Sequence, residues 1–533
     1  MTLLRNLTPK DLPATTPPGG LLVAGAGPAG LALALQAHDH GAAVRIVDRR
    51  PEAFRPSRAL IMHARSLEVL RPLGVTQALL ARADIAPLAH LHLGRRVVRV
   101  KLTDLALPDT AFPHLTLIRQ MDVEAVLARA LADRGIGVER GTELVTVRDG
   151  PEGVRAALRS PAGMEETFFG FVAGCDGPAS TVRAQAGIGW PGHPYAVEVV
   201  LADAEIDADL GGGTAHVVAG QQGLLFLFPL GERATWRLLA TRPASAGPPP
   251  FGQFGPPVPA RELQALLDQA GLDAQITELA WSARVRVQHR VAERFHRGRL
   301  YLAGEAAHAY SPATGQGMNA AIQDAANLGW KLAFAAAQPG SSAVLLGSYD
   351  RERRPVARQV LALTHLVFWG EASTSRLPSL LRGRLAPPAA GLVPALINRR
   401  RLVAAGIRLL SQLAVSYRGS PLSVEGTPRR RGGPRAGDRL PDQSVCAAGR
   451  IIRLHELTAQ PGVHLLLDRD ADRLDTLPLG PLVSIHRLTS VPGRGLMAVR
   501  PDGHIGFRCR IADAHQLGAW LARAGAGQRN PAP

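Results

Sequence analysis

Apolar residues fall along this chain in short runs separated by glycine and by stretches of mixed polarity. Leu21-Leu22-Val23-Ala24 is uninterrupted by polar residues, which suits a strand buried on both faces. Gly25-Ala26-Gly27-Pro28-Ala29-Gly30 follows, then an Ala/Leu run to about Gly41 that reads as a helix. A second apolar run, Val44 to Val47, ends at Asp48. The pattern predicts a β-α-β unit. Ser66–Leu70 and Val123–Leu131 read as helices, and residues 140–175 as short strands split by Gly and Pro. The runs Val197–Ile206, Leu224–Leu230 and Thr235–Ala240 predict an antiparallel sheet in an inserted domain. Thr241 to Ala260 holds seven prolines and three glycines and reads as a loop or flap. Arg299–Ala303 is a further strand, and Asn319–Ala337 a long Ala-rich helix.

A shift towards Gly, Pro and Arg near residues 419–445 reads as a linker. Beyond it, Val463–Leu467, Leu482–Ile485, Leu496–Val499 and Ile505–Arg508 are strand candidates. Pro501-Asp502-Gly503 has the chemistry of a hairpin turn between the last two. Ala512–Ala522 closes the chain as a helix. No internal repeat is visible.

Composition narrows the function. The 533 residues are 46% hydrophobic and 20% charged, the balance of a globular chain. The net charge of +17 invites a nucleic-acid reading, yet only Lys10, Lys101 and Lys331 among the 61 basic residues are lysines. The one compact basic run, Arg429-Arg430-Arg431, lies among Gly and Pro, and no docking motif accompanies it, so no nucleic-acid partner is expected. Residues 1–20 carry Arg5, Lys10 and Asp11 and lack the apolar core of a signal peptide. Leu21–Ala37 is uncharged but contains three glycines and a proline and falls short of the ~20 residues a membrane span needs. Cys175, Cys446 and Cys509 are too scattered for a disulfide framework or a zinc site. His90 and His92 alternate without an acidic or cysteine partner, so no metal is expected. A cytoplasmic protein without a membrane partner is the expectation.

The glycine-rich turn carries specific chemistry. A G-x-G-x-x-G between strand and helix, with an acid closing the next strand eighteen residues on, is the pattern of a dinucleotide site. Gly25 permits the tight turn, Gly27 lets the backbone approach a pyrophosphate, and Gly30 lets helix and strand pack closely. Pro28 fits the first helical turn, Ala29 lies in the same loop, and the helix start turns N–H groups and a positive dipole end towards the phosphates. Asp48 is placed to accept ribose hydroxyls.

Three sets of residues together carry a resemblance. They are Gly25-x-Gly27-x-x-Gly30 with Asp48-Arg49; Gly174-Cys175-Asp176-Gly177-x-x-Ser180-x-Val182-Arg183; and Gly304-Glu305-Ala306-Ala307-His308, Pro312, Gly315-Gln316-Gly317-Met318-Asn319 and Asp324-Ala325-x-Asn327-Leu328-x-Trp330-Lys331. The chain resembles the group A FAD-dependent aromatic hydroxylases over about residues 21–335. Its tail, through Pro434–Asp442 and Val499–Gly503, resembles the thioredoxin-like third domain of phenol hydroxylases and polyketide-tailoring members. The resemblance implies an α/β fold: a Rossmann-like FAD-binding domain, an inserted antiparallel-sheet substrate domain and a C-terminal thioredoxin-like domain. The boundaries expected are an extension at 1–20, an FAD-binding domain at 21–190 and 284–420, and a substrate domain at 191–283 with a contribution from 80–118. A linker at 421–445 and the thioredoxin-like domain at 446–533 complete the chain.

The resemblance also implies roles. Gly25, Gly27, Pro28, Ala29 and Gly30 would hold the FAD pyrophosphate, Asp48 with Arg49 the adenosine end, and Arg58 the phosphates. Arg119 and Gln120 would stand by the ribityl chain, and Asp176 would help close the site. Gly304 and Glu305 would reach the ribityl and phosphate-side groups, with Glu305 where the family has the shorter aspartate. Pro312 would line the flavin ring, with Gly315 and Gly317 permitting ring movement. Gly317, Met318 and Asn319 would present backbone N–H groups to its pyrimidine edge, where a helix start favours the reduced flavin anion. No certain catalytic acid or base is implied, so Pro312 and Gly317 count as flavin-positioning residues, and His308 reads as a packed histidine. NAD(P)H would reduce FAD, O₂ would add at C4a, and the C4a-hydroperoxide would hydroxylate an aromatic, polycyclic polyketide-type substrate. A simple phenol, Baeyer–Villiger oxygenation of a ketone, and a flavin-binding partner that does not oxygenate remain alternatives. Leu224–Phe228 would line the pocket on one face only. A monomer or homodimer is expected, and the tail, without a Cys-x-x-Cys pair, reads as structural.

Overall fold

The computed structural model describes residues 20–53, 60–85, 88–93, 96–101, 105–210, 213–220, 223–230, 236–244, 255–338, 342–372, 376–381, 399–447, 449–468, 479–490 and 495–527. The run Leu21–Ala24 is a fully buried strand, as its lack of polar residues demands. It pairs in parallel with Val44–Asp48 on one side and Phe171–Gly174 on the other. Leu300–Leu302 extends the same sheet next to Phe171–Gly174, and Val138–Arg140 next to Val44–Asp48. The strands therefore run in the order of a parallel sheet whose C-terminal ends share one edge. That edge is where an open α/β sheet binds its ligand.

Two helices pack against it. Pro28–Asp39 is apolar nearly all round and buried from Ala29 to Ala37. Gln316–Ala337, 22 residues long, is buried from Met318 to Ala335. A helix without a polar face belongs inside a core. Gly329 makes the contact between the two possible: a Cβ there would lie 2.7 Å from that of Gln36.

The inserted unit is an eight-stranded sheet. Gly192–Ala208 and Ala274–Val291, its two long strands, pair antiparallel, and Trp236–Pro243, Gly223–Pro229 and Thr214–Gly220 follow. Leu88–Leu93 and Arg96–Lys101 extend it at one edge, and the two-residue strand His308–Ala309 pairs with Ala274–Val291 at the other. One face buries Leu225, Leu227 and Leu238 beneath the amphipathic helix Ala260–Gln269, which contributes Leu263 and Leu267. The other face, with Val199, Leu201 and Val287, meets Phe368 and Ala372 of the 31-residue helix Ser342–Ala372. Alternation along a strand decides the faces. Of the apolar run Leu224–Phe228, Leu225 and Leu227 go into the covered core. Phe226 and Phe228 stack on each other, 6.0 Å apart, on the opposite face.

The tail holds a mixed sheet with Val463–Asp468 at its centre, parallel to Val483–Ser490 and antiparallel to Leu496–Val499. Ile505–Cys509 and the helix Ala514–Arg523 follow. The segment expected as a linker is not one. Val424–Glu425 pairs with Phe507–Arg508 of the tail sheet. Arg439 is buried, with its guanidinium on both oxygens of Glu68 at 2.8 Å and on Asp109 at 3.0 Å. Gly426 and Gly437 pack closely, where an added Cβ would lie 2.8 Å from Cys509 and 2.4 Å from Arg418 N. Among the described residues, no helix is long and apolar enough to cross a membrane.

Tail and first unit also share a buried charge cluster. Glu352 of the Ser342 helix accepts both Nη atoms of Arg500 and the Lys331 ammonium, each at 2.7 Å. Asp502, in the turn predicted from Pro501-Asp502-Gly503, accepts from Arg500 and from Asn327 Nδ2.

Candidate functional site

The glycine-rich turn divides its labour as the sequence suggests, and the geometry gives each glycine a different reason. Gly25 has φ +101°, and a Cβ there would lie 2.3 Å from the Cys175 carbonyl oxygen. A Cβ on Gly30 would lie 1.8 Å from the Gly25 carbonyl oxygen. Gly27 is different. Its φ of −80° and ψ of −175° suit any residue, and a Cβ there meets nothing within 4 Å. The protein leaves this space open at the helix start, which is the position for an anionic ligand.

Asp48 lies beside it, buried. Its Oδ2 accepts from Ala26 N at 2.8 Å and Arg50 Nη2 at 2.9 Å; its Oδ1 accepts from Arg50 N at 2.9 Å and Arg50 Nε at 3.1 Å. Burial works against the anion, but the Arg50 guanidinium and the two backbone N–H groups hold its pKa below the ordinary value. The four acceptor positions of the carboxylate are thus filled. A further donor would reach Asp48 only by displacing the Arg50 guanidinium. Arg49, the neighbour named from the sequence, is exposed; the residue that grips Asp48 is Arg50. In a strand end followed by two arginines, pattern alone does not tell which one turns back.

Asp176 follows the adjacent strand and abuts the turn, its Cα 3.0 Å from the place of a Gly25 Cβ. Its Oδ2 accepts from Thr181 N at 2.7 Å and Val182 N at 3.2 Å, capping a short helix. Its Oδ1 is buried without a partner, and burial raises its pKa. An orphaned buried carboxylate oxygen at this edge is a place for a ligand hydroxyl.

The third strand ends at Gly304, whose N–H donates to Asp324 Oδ2 at 3.1 Å. Gly304 sits between the two helices, 3.1 Å from both Ala29 and Ala321 on an added Cβ. Glu305 is exposed next to it, while Gly304, Ala306, Ala307, His308 and Ala309 are all buried. Pro312 and Gly317 are likewise exposed beside buried neighbours. The chain turns into the Gln316 helix through Thr314 and Gly315, both at φ 64°. Asn319 locks that turn: its Oδ1 accepts from His63 N at 2.8 Å and Ser66 Oγ at 2.7 Å, and its Nδ2 donates to Ile61 O and Gly315 O. Met318 is buried behind it. The Asn319 side chain is thus structural, and the first N–H groups of the helix have no carbonyl partner within it. A Cβ on Gly317 would meet nothing within 4 Å, a second open cradle.

His308 is buried and hydrogen-bonded, its Nε2 2.6 Å from Asp324 Oδ2, and it stacks on Tyr310 at 4.6 Å. Asp324 also accepts from Arg353 Nε at 2.7 Å; burial opposes its charge, yet His308 and Arg353 keep its pKa low. This hub holds the strand end to the helix. Arg119 donates to Asp122 at 2.8 Å, and Gln120 donates to the buried Glu124 at 2.8 Å, so both are half-buried at the start of one helix. Arg58 lies outside the described residues. Among the described residues no cluster has the ligands for a metal.

Gly25, Gly27, Gly30, Asp48, Asp176, Gly304, Glu305 and the 312–319 turn therefore come from distant parts of the chain to one edge of one sheet. An FAD-binding domain family model matches residues 20–364. The chain belongs to the FAD-dependent monooxygenases. A 6-methylpretetramide 4-monooxygenase of Streptomyces rimosus is 32% identical over 94% of this chain and 92% of its own length. An anhydrotetracycline hydroxylase structure from Streptomyces rimosus superposes with a TM-score of 0.73 at 27% identity, covering 96% of this chain and 99% of that one. The aklavinone-11 hydroxylase complex with FAD and aklavinone gives a TM-score of 0.72 at 25% identity, over 95% and 98%. The residues present fit FAD: Gly27 leaves room for the pyrophosphate, Asp176 has an unused acceptor, and the Gln316 helix start offers N–H groups beside an open glycine.

Proposed function

We propose that the chain hydroxylates an aromatic, polycyclic polyketide-type substrate, with FAD as cofactor and NAD(P)H as electron source. FAD, when bound, would supply the redox chemistry, with NAD(P)H as reductant and O₂ as the source of the oxygen atom placed on the substrate ring. The residues of this chain bind, orient and exclude water. Gly27 and the Pro28 helix start would hold the pyrophosphate, and the exposed Glu305 would serve the ribityl side. Pro312 would line the ring, and the Gly317–Met318 backbone N–H groups would stabilise negative charge at its pyrimidine edge.

The observation that carries this reading is the open space at Gly27 and Gly317, each at a helix start, in a chain aligned over nearly its whole length with a 6-methylpretetramide monooxygenase and an anhydrotetracycline hydroxylase. The apolar sheet face with the stacked Phe226 and Phe228 suits a flat, multi-ring molecule. The domain scheme of the sequence reading belongs to the same proposal, amended at 421–445, with a structural thioredoxin-like tail. Cys175 and Cys509 are buried and none of the three cysteines is bridged, which supports a tail without redox work. The test is direct: purified protein is yellow, and a tetracyclic polyketide phenol accelerates its NADPH oxidation at least tenfold. Colourless protein, or oxidation that no aromatic accelerates, refutes the reading.

Glu305 gives a second test. A carboxylate accepting ribityl hydroxyls contributes about 1–3 kcal/mol. Glu305→Ala should weaken FAD binding about 10- to 100-fold, and Glu305→Asp should bind FAD like wild type, as measured by flavin fluorescence on dissociation. Equal affinity in wild type and Glu305→Ala would show that the carboxylate does not serve FAD.

A further inference from the structure

Pro501-Asp502-Gly503 turns the tail chain between Leu496–Val499 and Ile505–Cys509. A hairpin tip of this chemistry ordinarily faces water. This one is buried: Arg500, Asp502 and His504 are at most 3% exposed. A Cβ on Gly503 would lie 3.3 Å from Arg65 Nη1, so the tip is pressed against the first unit. Well-packed apolar residues would hold two units together at least as firmly as buried charges do. What directional polar anchors add is a fixed geometry for the parts they join.

Three anchors leave the tip. The first is Arg65, whose Nη2 donates to the Asp502 carbonyl oxygen at 2.6 Å. Arg65 belongs to the helix Ala64–Leu70, in which the Ser66 hydroxyl and the N–H of the preceding His63 both donate to Asn319 Oδ1. The second is Asn327 of the Gln316 helix, whose Nδ2 donates to Asp502 Oδ2 at 2.9 Å. The third starts at His504, whose ring packs on that of Tyr417 with centroids 4.2 Å apart. Tyr417 Oη accepts from Arg353 Nη1 at 3.0 Å. Arg353 Nη2 donates to Ala320 O of the Gln316 helix, and Arg353 Nε to Asp324 Oδ1, whose Oδ2 accepts the Gly304 N–H. Arg65, Asn327, Tyr417, Arg353 and Asp324 are all buried. Every anchor thus ends on the helix that begins at Gln316, and the third also on the Gly304 turn.

We infer that the tail turn positions the FAD site, with Arg65 and Tyr417 as the positioning residues through which it fixes the Gln316 helix start and the Gly304 turn. The inference rests on the flavin reading and gives a tail without redox chemistry a task in the first unit. Neither residue touches the cofactor; each acts through Asn319 or through Arg353 and Asp324. The consequence is specific. The N–H groups and positive dipole end of a helix start favour negative charge beside them. Their placement therefore weighs on the reduced cofactor, which carries more negative charge, more than on the oxidised one. Loosening an anchor should weaken the binding of reduced FAD more than that of oxidised FAD, and so lower the midpoint potential of the bound flavin. A tail that only added stability would lower the melting temperature and leave that ratio alone.

The test compares full-length wild type, Arg65→Met and Tyr417→Phe, each saturated with FAD, by redox titration against a reference dye and by thermal melt. Arg65→Met strands no buried anion, because Glu68 keeps both its contacts to Arg439 at 2.8 Å. Tyr417→Phe keeps the ring against His504 and removes only the oxygen that Arg353 uses; it decides alone if Arg65→Met does not fold. In each variant the ratio of affinities for reduced and oxidised FAD should fall at least threefold, a drop of about 14 mV for two electrons. Glu425→Gln is the control. It breaks the Glu425–Arg508 pair at the far edge of the tail sheet, and should keep the wild-type ratio whatever its melting temperature. A wild-type ratio in Tyr417→Phe, or an equal fall in Glu425→Gln, overturns the inference. Wild type that takes up no FAD refutes the flavin reading instead, so the two failures are told apart.

Discussion

Gly27→Val should purify folded and colourless, with FAD affinity reduced at least 100-fold. The backbone at Gly27 is extended, a conformation valine favours, and its Cβ enters open space, so the apo fold loses nothing it uses. The two added methyl groups occupy the place where the pyrophosphate approaches the helix start. Gly30→Ala is the contrasting control. Its Cβ would lie 1.8 Å from a carbonyl oxygen, so it should reduce soluble yield or stability rather than FAD affinity alone. Flavin content and a thermal melt on both variants separate the two effects. Gly27→Val protein that is folded and fully loaded with flavin would show that the pyrophosphate lies elsewhere.

Glu352→Ala should destabilise the chain by about 3–5 kcal/mol, because removing one partner of a buried ion pair leaves uncompensated charge. Here it leaves two fully buried cations, Arg500 and Lys331, each 2.7 Å from the lost carboxylate, with the one carboxylate of Asp502 to offset both. Lys331 already shows the strain of its setting: burial lowers it to about 8 although Glu352 opposes that. Since Arg500 belongs to the tail and Glu352 to the Ser342 helix, urea denaturation should show both units loosening together. The same carboxylates set the acid limit. Burial disfavours the anions of Glu68, Glu352 and Asp502, but Arg439 and Arg500 overcome it and hold all three below their ordinary values. Groups with lowered native pKa values stabilise above the unfolded carboxylate range, and that stability is lost as pH falls through it. Stability should therefore decline from about pH 5 downward, and Glu352→Gln should flatten that decline. A Glu352→Ala protein as stable as wild type would show that the cluster is not what joins the two units.

The parts legible in the sequence are those decided by neighbours in the chain. The strand Leu21–Ala24, the glycine turn and the helix after it follow from local sterics and an unbroken apolar run. The tail hairpin follows from Pro501-Asp502-Gly503. What the sequence hid depends on partners far away. Arg439 looked like part of a tether because its acceptors, Glu68 and Asp109, lie over 300 residues earlier. Arg49 and Arg50 are equivalent as letters, and only the bend after Asp48 selects Arg50. Asn319 was read for its backbone, while its side chain ties together His63, Ser66 and Ile61.

Oxygen labelling tests the central claim most directly. Purified protein is incubated with NADPH, a tetracyclic polyketide phenol and ¹⁸O₂, and the product is read by mass. The account predicts one labelled oxygen atom per product molecule, and none when the label is supplied as water. A substrate left unchanged by yellow, NADPH-reducible protein, or a product whose new oxygen comes from water, would contradict it.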